Sequence, residues 1–478
     1  YIQNNFTSMK KNCVIAFSSL MLSCALYAQN KRMNVVFIMA DDLGLNDTGY
    51  TGSDFYETPN IDKLSEEGMV FTNAYSSAAN SAPSRACFMS GMYTPRHGIF
   101  TVSPPDRGDR TKRKLIPIPN VEDLRKDIPT MGELFKRNGY RCGHVGKWHL
   151  GDDEDGTGPL SRGFDVNVAG GRAGTPYSYY YPYCNNKGMC HIGLEKGKQG
   201  EYLTDRLTDE AVAFIKESAH GEKPFFLYLA HHAVHTPITA PQSIVDKYEK
   251  KVKGKYHTNS VYAAMVETLD NSVGKICGII DSLGISDNTI IIFNSDNGGS
   301  EPITNNYTVR GGKGIPYEGG NRVPLIVKWP NVTKDGKISD CPVNNIDFFS
   351  TFQMYLEGKI GDELDGADIY PLLSNEKSSI ERDLFWHFPA YLESYTDNGK
   401  GFRAKPYTSV RSGKWKLIYY YENENTELFD LDKDPLEEYD LSCVNEEMVS
   451  ILKKKIFSWI ERVNAPVPTK LNPYYEGD

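Results

Sequence analysis

Two pairs of adjacent polar residues, Asp41-Asp42 and Asp296-Asn297, supply oxygen atoms that could bind a metal ion. Together they offer four hard oxygen ligands and no sulfur, a set that suits calcium, or magnesium less well, rather than zinc. An acidic pair after a strand could instead form a turn or cap a helix, and either pair alone leaves both interpretations open. Because two such pairs occur, the sequence predicts one metal site to which both contribute.

Ser81 begins a run, ending at Gly91, that could place a hydroxyl beside a bound anion. Asn80 or Ser81 can cap a helix here, and Pro83 suits its first turn. The free N–H groups and the dipole of a helix N-terminus favour an anion, and Arg85, one turn on, adds a positive charge. An ordinary capped helix would explain the serine and the proline, but it would not explain the other polar clusters.

Three further segments combine lysine or histidine with glycine or proline. Lys147 and His149 lie between glycines, His235 precedes Thr-Pro, and Lys313 lies in a glycine-rich run. Lysine can neutralise charge that develops on a reacting group, and histidine can transfer protons near neutral pH. Each segment taken alone is equally typical of an exposed loop.

Buried strands that alternate with helices must position these segments. The strands are apolar on both faces, which is typical of a parallel sheet covered by helices on each side. The polar clusters lie at or just beyond the ends of the strands, and ligands bind at that edge of open α/β sheets. The predicted strands are residues 34–40, 141–145, 225–230 and 289–293, and the predicted helices include 61–67 and 262–283.

The chain changes character near residue 380, where we expect a smaller α+β domain to begin. Its pattern predicts antiparallel strands at 407–411 and 415–421, a shorter strand at 427–431 and an amphipathic helix at 447–463. The predicted division is therefore a catalytic domain at 29–380 and a C-terminal subdomain at 381–478.

Composition and charge limit the partners of the chain. It has 478 residues, enough for two domains or for one large domain with an appendage, and its 40% of apolar and 12% of aromatic residues are normal for a globular core. The formal net charge of −9 argues against general binding of nucleic acid or anionic membranes. Any anion chemistry must therefore come from a local cationic pocket or a metal.

A secretory signal is predicted near the N-terminus, after residues 1–8, which resemble upstream sequence. Met9 precedes two lysines and a stretch of mostly apolar and small residues that ends at Ala28, where we expect cleavage. The stretch is too short for a transmembrane span, so we expect secretion, to the periplasm in a bacterium. Residues 20–24 also resemble a lipoprotein box, which would tether Cys24 to a membrane.

Of the nine cysteines, two lie in the predicted signal and seven follow it. Cys184 and Cys190 could close a small loop in an oxidising compartment. An odd number leaves at least one thiol free. The other five are scattered singly, and we expect them to be small buried residues rather than metal ligands.

The run from Ser81 to Gly91 resembles the signature of the type I sulfatases, members of the alkaline phosphatase superfamily. The resemblance implies an α/β fold with an alkaline-phosphatase-like mixed sheet sandwiched by helices, followed by a C-terminal subdomain of antiparallel sheet and helix. It also implies that Ser81 is oxidised to formylglycine (3-oxoalanine), whose hydrate attacks sulfur with one hydroxyl and ejects sulfate with the other. An unmodified serine would be trapped as a sulfate ester after one turnover.

A serine at position 81, where cysteine is commoner in the family, implies a bacterial maturation enzyme that accepts serine, or an engineered replacement of cysteine. The implied metal is one calcium ion held by the two pairs of polar residues and Ser81. Related phosphotransfer enzymes carry histidine where this chain has Asn297, and they bind two zinc ions.

The resemblance also assigns the remaining catalytic roles. Arg85, Lys147 and Lys313 neutralise the charge of the sulfate, and Lys313 also reaches the leaving group. His149 takes a proton as sulfate leaves, whereas His235 contacts the ester oxygen and protonates the leaving alcohol. The two histidines at 231 and 232 are interpreted as packing residues.

The expected substrate is a sulfated carbohydrate, such as a glycosaminoglycan, a mucin-type glycan or another host or algal glycan. Tyr177, in the tyrosine-rich segment 177–183, could stack on a sugar or simply pack. His387 could contact a sugar or be structural, and Arg322 is a third candidate for substrate binding. Neither the sugar nor the sulfated hydroxyl follows from these residues.

Three hypotheses from different classes remain at this stage. The first is a calcium-dependent formylglycine sulfatase that acts on sulfated carbohydrate. The second is a phosphomonoesterase or phosphodiesterase of the same fold, which would use plain Ser81 and two zinc ions. The third is a non-catalytic binder of sulfated glycans in which Ser81 is never oxidised, although a binder has no use for His149.

Overall fold

A mixed eight-stranded sheet lies at the centre of the molecule, in a computed structural model that describes residues 32–395 and 401–477. The predicted signal segment and Cys24 lie outside the described residues. The first ten strands are β1 (Asn34–Ala40), β2 (Met69–Phe71), β3 (Ala74–Tyr75), β4 (Arg141–Gly146), β5 (Val166–Val168), β6 (Phe225–Ala230), β7 (Thr289–Ser295), β8 (Leu325–Lys328), β9 (Lys337–Ser339) and β10 (Val343–Asn344). The order in the large sheet is β5, β4, β6, β1, β7, β8, β2 and β9, and β3 pairs separately with β10.

The central strands run parallel, as the alternation of buried runs with helices predicted. β1 pairs in parallel with β6 and β7, and β4 pairs in parallel with β6. However, β8 runs antiparallel to both β7 and β2. The parallel pairing expected of the four predicted strands is therefore confirmed. β8, which was not among them, makes the sheet mixed, as the family resemblance implied. Between β7 and β8 the chain runs through residues 296–324, which carry Asp296, Asn297 and Lys313 and contain the one-turn helix Glu318–Asn321.

Helices cover both faces of the sheet because successive strand residues point to opposite sides. Val36 and Ile38 of β1 belong to one apolar core, and Val35 and Phe37 belong to the other. The first ten helices are α1 (Pro59–Glu67), α2 (Ser81–Ser90), α3 (Thr94–His97), α4 (Met131–Arg137), α5 (Leu203–Ala219), α6 (Gln242–Lys250), α7 (Ser260–Ser282), α8 (Glu318–Asn321), α9 (Asp347–Glu357) and α10 (Tyr370–Leu373). Helices α5 and α7 pack on the first face, and α2, α4 and α9 pack on the second.

A four-stranded antiparallel sheet follows in the C-terminal part of the chain, as predicted. The strands are β11 (Asp383–Phe388), β12 (Leu392–Glu393), β13 (Phe402–Ala404), β14 (Tyr407–Ser412), β15 (Trp415–Tyr420) and β16 (Thr426–Asp430), and the helix is α11 (Glu446–Val463). The sheet has the order β11, β14, β15 and β16, while β12 pairs with β13. Leu452 and Trp459 of α11 pack against Phe385 and Val410 of the sheet. Within the described ranges, no helix is both long and apolar enough to cross a membrane.

The predicted disulfide and three of the five predicted buried thiols are present in the structure. Cys184 and Cys190 form a disulfide. Cys87, Cys142 and Cys341 are buried thiols, as predicted. The expectation of burial is wrong for Cys443, which is exposed, and Cys277 is half-buried. Cys277 packs against the first apolar core from its margin, which leaves its thiol only partly covered.

A buried ionic cluster links the C-terminal sheet to helix α8. Lys416 of β15 lies 2.8 Å from a carboxylate oxygen of Glu437 and 3.1 Å from one of Glu318. Tyr75 donates a hydrogen bond of 2.6 Å to the other oxygen of Glu318. The ammonium group of Lys416 therefore forms ion pairs with two carboxylates that are almost completely shielded from water.

Replacing Lys416 by methionine is expected to destabilise the protein by about 3–5 kcal/mol, because two buried carboxylates would lose their counter-ion. The free energy of unfolding in urea measures this effect. Lys414→Met is the matched control, since Lys414 pairs with Asp430 but has a side chain that is 38% exposed. We expect the control to cost less than about 1 kcal/mol. Equal losses in the two variants would contradict this role for the cluster.

Candidate active site

The predicted polar residues converge at the carboxyl ends of the central parallel strands. Asp41 follows β1, Lys147 follows β4, His231 follows β6 and Asp296 follows β7. Backbone hydrogen bonds extend the strand pairing into these segments. The N–H of Lys147 donates to the carbonyl of Ala230 at 2.7 Å, and the N–H of Asp296 donates to the carbonyl of Ala40 at 3.1 Å. The sheet therefore holds the four segments side by side.

Ser81 lies in the middle of this convergence, as the first residue of α2. Its hydroxyl donates to a carboxylate oxygen of Asp41 at 3.0 Å and lies 3.2 Å from the amide oxygen of Asn297. Asn80 occupies the N-cap position, but its side chain makes no capping hydrogen bond. The predicted helix start is thus confirmed, while the proposed side-chain cap is wrong because the Ser81 hydroxyl bonds across the site instead.

Each of three carboxylates in the site accepts a hydrogen bond from a cationic side chain. The Nε of Arg85 donates to Asp296 at 2.8 Å. The ammonium group of Lys147 donates to Asp41 at 2.7 Å, and a second ammonium group, that of Lys313, donates to Asp42 at 2.8 Å. These three cations are the ones that the sequence predicted to bind sulfate, and the structure buries all of them.

The charges in the site act strongly on one another because water is excluded. Burial would raise the pKa of Asp42, but the nearby positive charges, that of Lys313 above all, outweigh it and hold the pKa below its usual range. Burial and the neighbouring charge of Asp41 raise the pKa of Asp296. Burial lowers the pKa of Lys147 despite its contact with Asp41. Crowded carboxylates of this kind favour the binding of a cation.

Two histidines lie on the side of the site that opens to solvent. His149, His235 and Lys313 are each 9% exposed, whereas Asp41 and Arg85 are completely buried. The Nε2 of His235 lies 3.6 Å from Asp42, and its Nδ1 lies 2.8 Å from the carbonyl oxygen of Thr236. Burial and the charge of Lys313 lower the pKa of His235 to about 3. A substrate would therefore approach from the side of these residues.

The backbone is strained at two residues of the site. Asp42 and His149 both adopt left-handed conformations, with φ of 64° and 63°. Such conformations are unfavourable for residues other than glycine and are concentrated at functional sites. The ring of His149 also requires glycine at position 174, because a Cβ there would lie 2.4 Å from its Nε2. The surrounding structure thus fixes the direction of the His149 ring.

The donor atoms present fit a hard divalent cation. Asp41, Asp42, Asp296 and Asn297 supply carboxylate and amide oxygens, without a thiolate among them. Ligand atoms of Asp41, Asp42 and His235 all lie within 4.8 Å of one another. The sequence did not place His235 beside the metal ligands, because nothing in its Thr-Pro context indicates that neighbour.

Two buried tyrosines, Tyr228 and Tyr179, contact residues of the site through their hydroxyl groups, and the sequence did not predict these contacts. The hydroxyl of Tyr228 lies 3.3 Å from Nη1 of Arg85. The hydroxyl of Tyr179 lies 2.7 Å from the carbonyl oxygens of both His232 and His235. Tyr179 is buried, which supports the packing interpretation of that part of segment 177–183. Because successive side chains of β6 point to opposite faces of the sheet, the sequence could have indicated that Tyr228 faces α2.

The histidines at 231 and 232 are buried, as the packing interpretation requires. The Nε2 of His231 lies 2.8 Å from the hydroxyl of Ser272. Among the described residues, neither ring nitrogen of His232 has a hydrogen-bond partner, and its ring centroid lies 4.9 Å from that of His191. His191 in turn contacts Tyr177, with ring centroids 4.9 Å apart. Tyr177 is half-buried, and His191 and His232 connect its ring to the segment that carries His235.

The structure does not bring His387 and Arg322 into contact with the catalytic cluster. Both ring nitrogens of His387 are engaged, with the hydroxyl of Thr408 at 2.7 Å and with the carbonyl of Pro466 at 3.0 Å. These contacts favour the structural alternative for His387. The Nε of Arg322 donates to the carbonyl of Thr72 at 2.8 Å, and its side chain lines a separate cavity of about 440 Å³. Substrate binding by these residues stays a prediction.

Comparison with known proteins identifies the family. A model of the sulfatase family matches residues 33–357, and the model described as N-sulphoglucosamine sulphohydrolase, C-terminal, matches residues 312–464. A sulfatase of Formosa agariphila is 31% identical, over 96% of this chain and 95% of its own length. The N-acetylgalactosamine-6-sulfatase of Mus musculus is 30% identical, over 88% of this chain and 84% of its own.

A solved structure agrees with these sequence matches. The crystal structure of Ps i-CgsB in complex with k-i-k-neocarrahexaose superposes with a TM-score of 0.75 and 30% identity. The match covers 92% of this chain and 95% of the other. Since the family match spans the strands, the serine helix and the lysine and histidine segments described above, the chain belongs to the sulfatase family and is a sulfuric ester hydrolase.

Proposed function

We propose that this sulfatase removes sulfate from a sulfated carbohydrate, with a nucleophile made from Ser81. The observation that carries the proposal is the position of the Ser81 hydroxyl, buried at a helix N-terminus in contact with Asp41 and Asn297. Arg85 and Lys147 surround it with positive charge. The relatives named for galactosamine and carrahexaose substrates support a sulfated glycan as the substrate class.

Formylglycine would make Ser81 a recyclable nucleophile. The modification supplies a hydrated aldehyde, so that the bound sulfate can be released without attack by water on a stable ester. A maturation enzyme that accepts serine is the partner that this requires. The test is the mass of the peptide containing Ser81 from protein made with such an enzyme: loss of two hydrogens supports the proposal, and an unmodified serine in an active enzyme would overturn it.

The cationic side chains would bind the sulfate and neutralise its charge. Arg85 and Lys147 lie on the closed side of Ser81, and Lys313 lies on the open side, so that a sulfate between them meets positive charge from both directions. These groups are already oriented by Asp296, Asp41 and Asp42 before substrate arrives. Fixed groups of this kind stabilise a transition state without reorganisation.

We infer that the metal is one calcium ion held by Asp41, Asp42, Asp296 and Asn297, with Ser81 as the fifth residue of the set. When bound, the ion supplies positive charge that polarises the nucleophile and the sulfate oxygens. The buried oxygen donors and the raised pKa of Asp296, caused by burial and by the charge of Asp41, support this assignment.

The two histidines would move protons on the open side of the site. His149 has a buried Nδ1 without a partner among the described residues, and in its neutral form it can accept a proton. His235 lies next to Asp42 and would donate a proton to the leaving oxygen. The negative charge of a bound sulfate ester opposes the effect of Lys313 and so favours the protonated form of His235.

Replacing His235 by alanine is expected to lower the turnover of alkyl or sugar sulfates by about 10²–10⁴-fold, because a poor leaving group needs a proton. The loss should be much smaller for 4-nitrophenyl sulfate, whose leaving group is a stable anion. Comparing kcat for both esters in one variant provides the control for folding. Intact turnover of the sugar sulfate would remove His235 from this role.

Cellular location and domain division remain proposals from the sequence. The segment from Met9 to Ala28 supports secretion, to the periplasm in a bacterium, and Cys24 offers a lipid-anchored alternative. The division near residue 380 is supported by the separate four-stranded antiparallel sheet, whose first strand begins at Asp383. N-terminal sequencing of the mature protein and limited proteolysis, respectively, test these two proposals.

A further inference from the structure

Arg403, on the short strand β13, is a guanidinium group for which the described residues provide no paired carboxylate. Its Nε and Nη1 are buried and have no hydrogen-bond partner in the described part of the chain. The carboxylate of Glu393 influences its charge, but Glu393 pairs with Arg107 instead, at 3.2 Å. Two arginines therefore share one carboxylate, and the group carries a net positive charge.

The position of Arg403 is fixed beside the open side of the active site. A Cβ placed on Gly314 would lie 3.1 Å from the Nε of Arg403, so the guanidinium lies against the residue that follows Lys313. Its other face stacks on Tyr395, with Cζ 3.7 Å from the ring centroid. The hydroxyl of Tyr395 lies 3.2 Å from that of Ser300, which holds the ring in place.

A partly buried guanidinium without a paired carboxylate among the described residues is stabilised most by hydrogen bonds to an oxyanion. Burial lowers the pKa of Arg403 to about 10, so that it remains charged at neutral pH although it has lost much of its hydration. Charge-assisted hydrogen bonds to carboxylate or sulfate oxygens are stronger than neutral ones, and arginine is well suited to both. The ring of Tyr395 is 51% exposed and offers a flat surface for a sugar next to that oxyanion.

We propose that Arg403 binds a second anionic group, a carboxylate or a further sulfate, on the glycan next to the sulfate that is cleaved. This inference rests on the proposed function, because the contact of Lys313 with Asp42 marks where that sulfate would bind. It narrows the substrate class to polyanionic glycans and assigns their selection to a residue outside the predicted set. Arg403 acts on the choice of substrate and not on the reacting atoms.

The first test measures selectivity in matured enzyme. The substrates are a sulfated disaccharide with a neighbouring uronate, the same disaccharide with the carboxylate reduced to an alcohol, and a form with a second sulfate in its place. In Arg403→Gln, the ratio of kcat/KM for an anionic substrate to that for the reduced one should fall by about 10- to 100-fold. Whichever anionic form the wild type prefers identifies the natural group.

Two variants separate recognition from folding. Arg403→Lys keeps the charge and should retain more of the selectivity than Arg403→Gln. Arg141→Gln is the matched control, because Arg141 also contacts an aromatic ring, with Cζ 5.1 Å from the centroid of Phe214, but lies at the other end of β4. It should leave the ratio unchanged. An unchanged ratio in Arg403→Gln would overturn the inference, as would an equal fall in Arg141→Gln.

A binding measurement separates failure of this inference from failure of the proposed function. The chain with unmodified Ser81 is titrated calorimetrically with the same three disaccharides. We expect the anionic forms to bind about 10- to 100-fold more tightly than the reduced form, and Arg403→Gln to remove this difference. Equal affinities overturn the role of Arg403 whatever the catalytic result. If the difference appears but matured enzyme cleaves no sulfate ester, the role of Arg403 stands and the proposed function fails.

Discussion

Ser81→Ala is expected to abolish sulfate ester hydrolysis, with a fall in kcat of about 10⁴-fold or more. Alanine has no oxygen to attack sulfur and cannot be converted to an aldehyde by a maturation enzyme. The fold should survive, because the Ser81 hydroxyl contacts only the site residues Asp41 and Asn297. Steady-state kinetics on 4-nitrophenyl sulfate, together with the thermal midpoint of unfolding, would measure both effects.

Ser90→Ala provides the matched control for this variant. Ser90 is a buried serine at the other end of α2, and its hydroxyl donates to the carbonyl of Ala86 within the helix at 2.7 Å. The control should keep its activity within about threefold, because it removes only local hydrogen bonds, to Ala86 and from the N–H of Met92, away from the site. If Ser81→Ala retained substantial turnover, the nucleophile would have to be another residue, and the modification of Ser81 would be irrelevant.

Much of the site could be predicted because it is built by local rules. The strands at 34–40 and 225–230 begin and end where their apolar runs do, and a polar residue directly after such a strand must lie at the sheet edge. Pro83, with Asn80 or Ser81 as the expected cap, predicted a helix start at Ser81, and the helix begins there. Each of these assignments depends only on residues within one segment.

The remaining features depend on contacts between distant segments. The direction of β8 depends on its pairing with β7 and β2, which the apolar pattern alone does not specify. His387 resembled a sugar contact by its aromatic neighbours, yet its partner Pro466 lies 79 residues away. Arg403 gave no local signal at all, because its significance arises from Gly314 and Tyr395. Such pairings emerge only in the folded chain.

Removing calcium is expected to lower activity by about 10³-fold and to make the protein less stable to heat. Calcium at 100 times its dissociation constant would stabilise the fold by about 2.7 kcal/mol, which corresponds to a rise of a few degrees in the thermal midpoint. Chelation should reverse both effects, and added calcium should restore them. Magnesium should restore less, because it tolerates only a near-octahedral set of ligands.

Asp42→Asn tests whether the predicted carboxylates hold the ion. The variant should lose the calcium-dependent rise in thermal midpoint, because one charge of the site is gone while its shape is kept. Asp270→Asn is the matched control: Asp270 is also a buried carboxylate, but it accepts hydrogen bonds from the backbone of Asn60 and Ile61. The control should keep the full calcium response.

The number and kind of bound ions also decide between the sulfatase mechanism and the phosphatase hypothesis. One calcium per chain agrees with an amide oxygen at Asn297, because a hard ion accepts amide oxygen where zinc prefers an imidazole nitrogen. Elemental analysis of the purified protein would therefore show about one calcium and no zinc. Two zinc ions per chain, with activity on phosphate esters that chelation abolishes, would mean that plain Ser81 is the nucleophile and that formylglycine is not required.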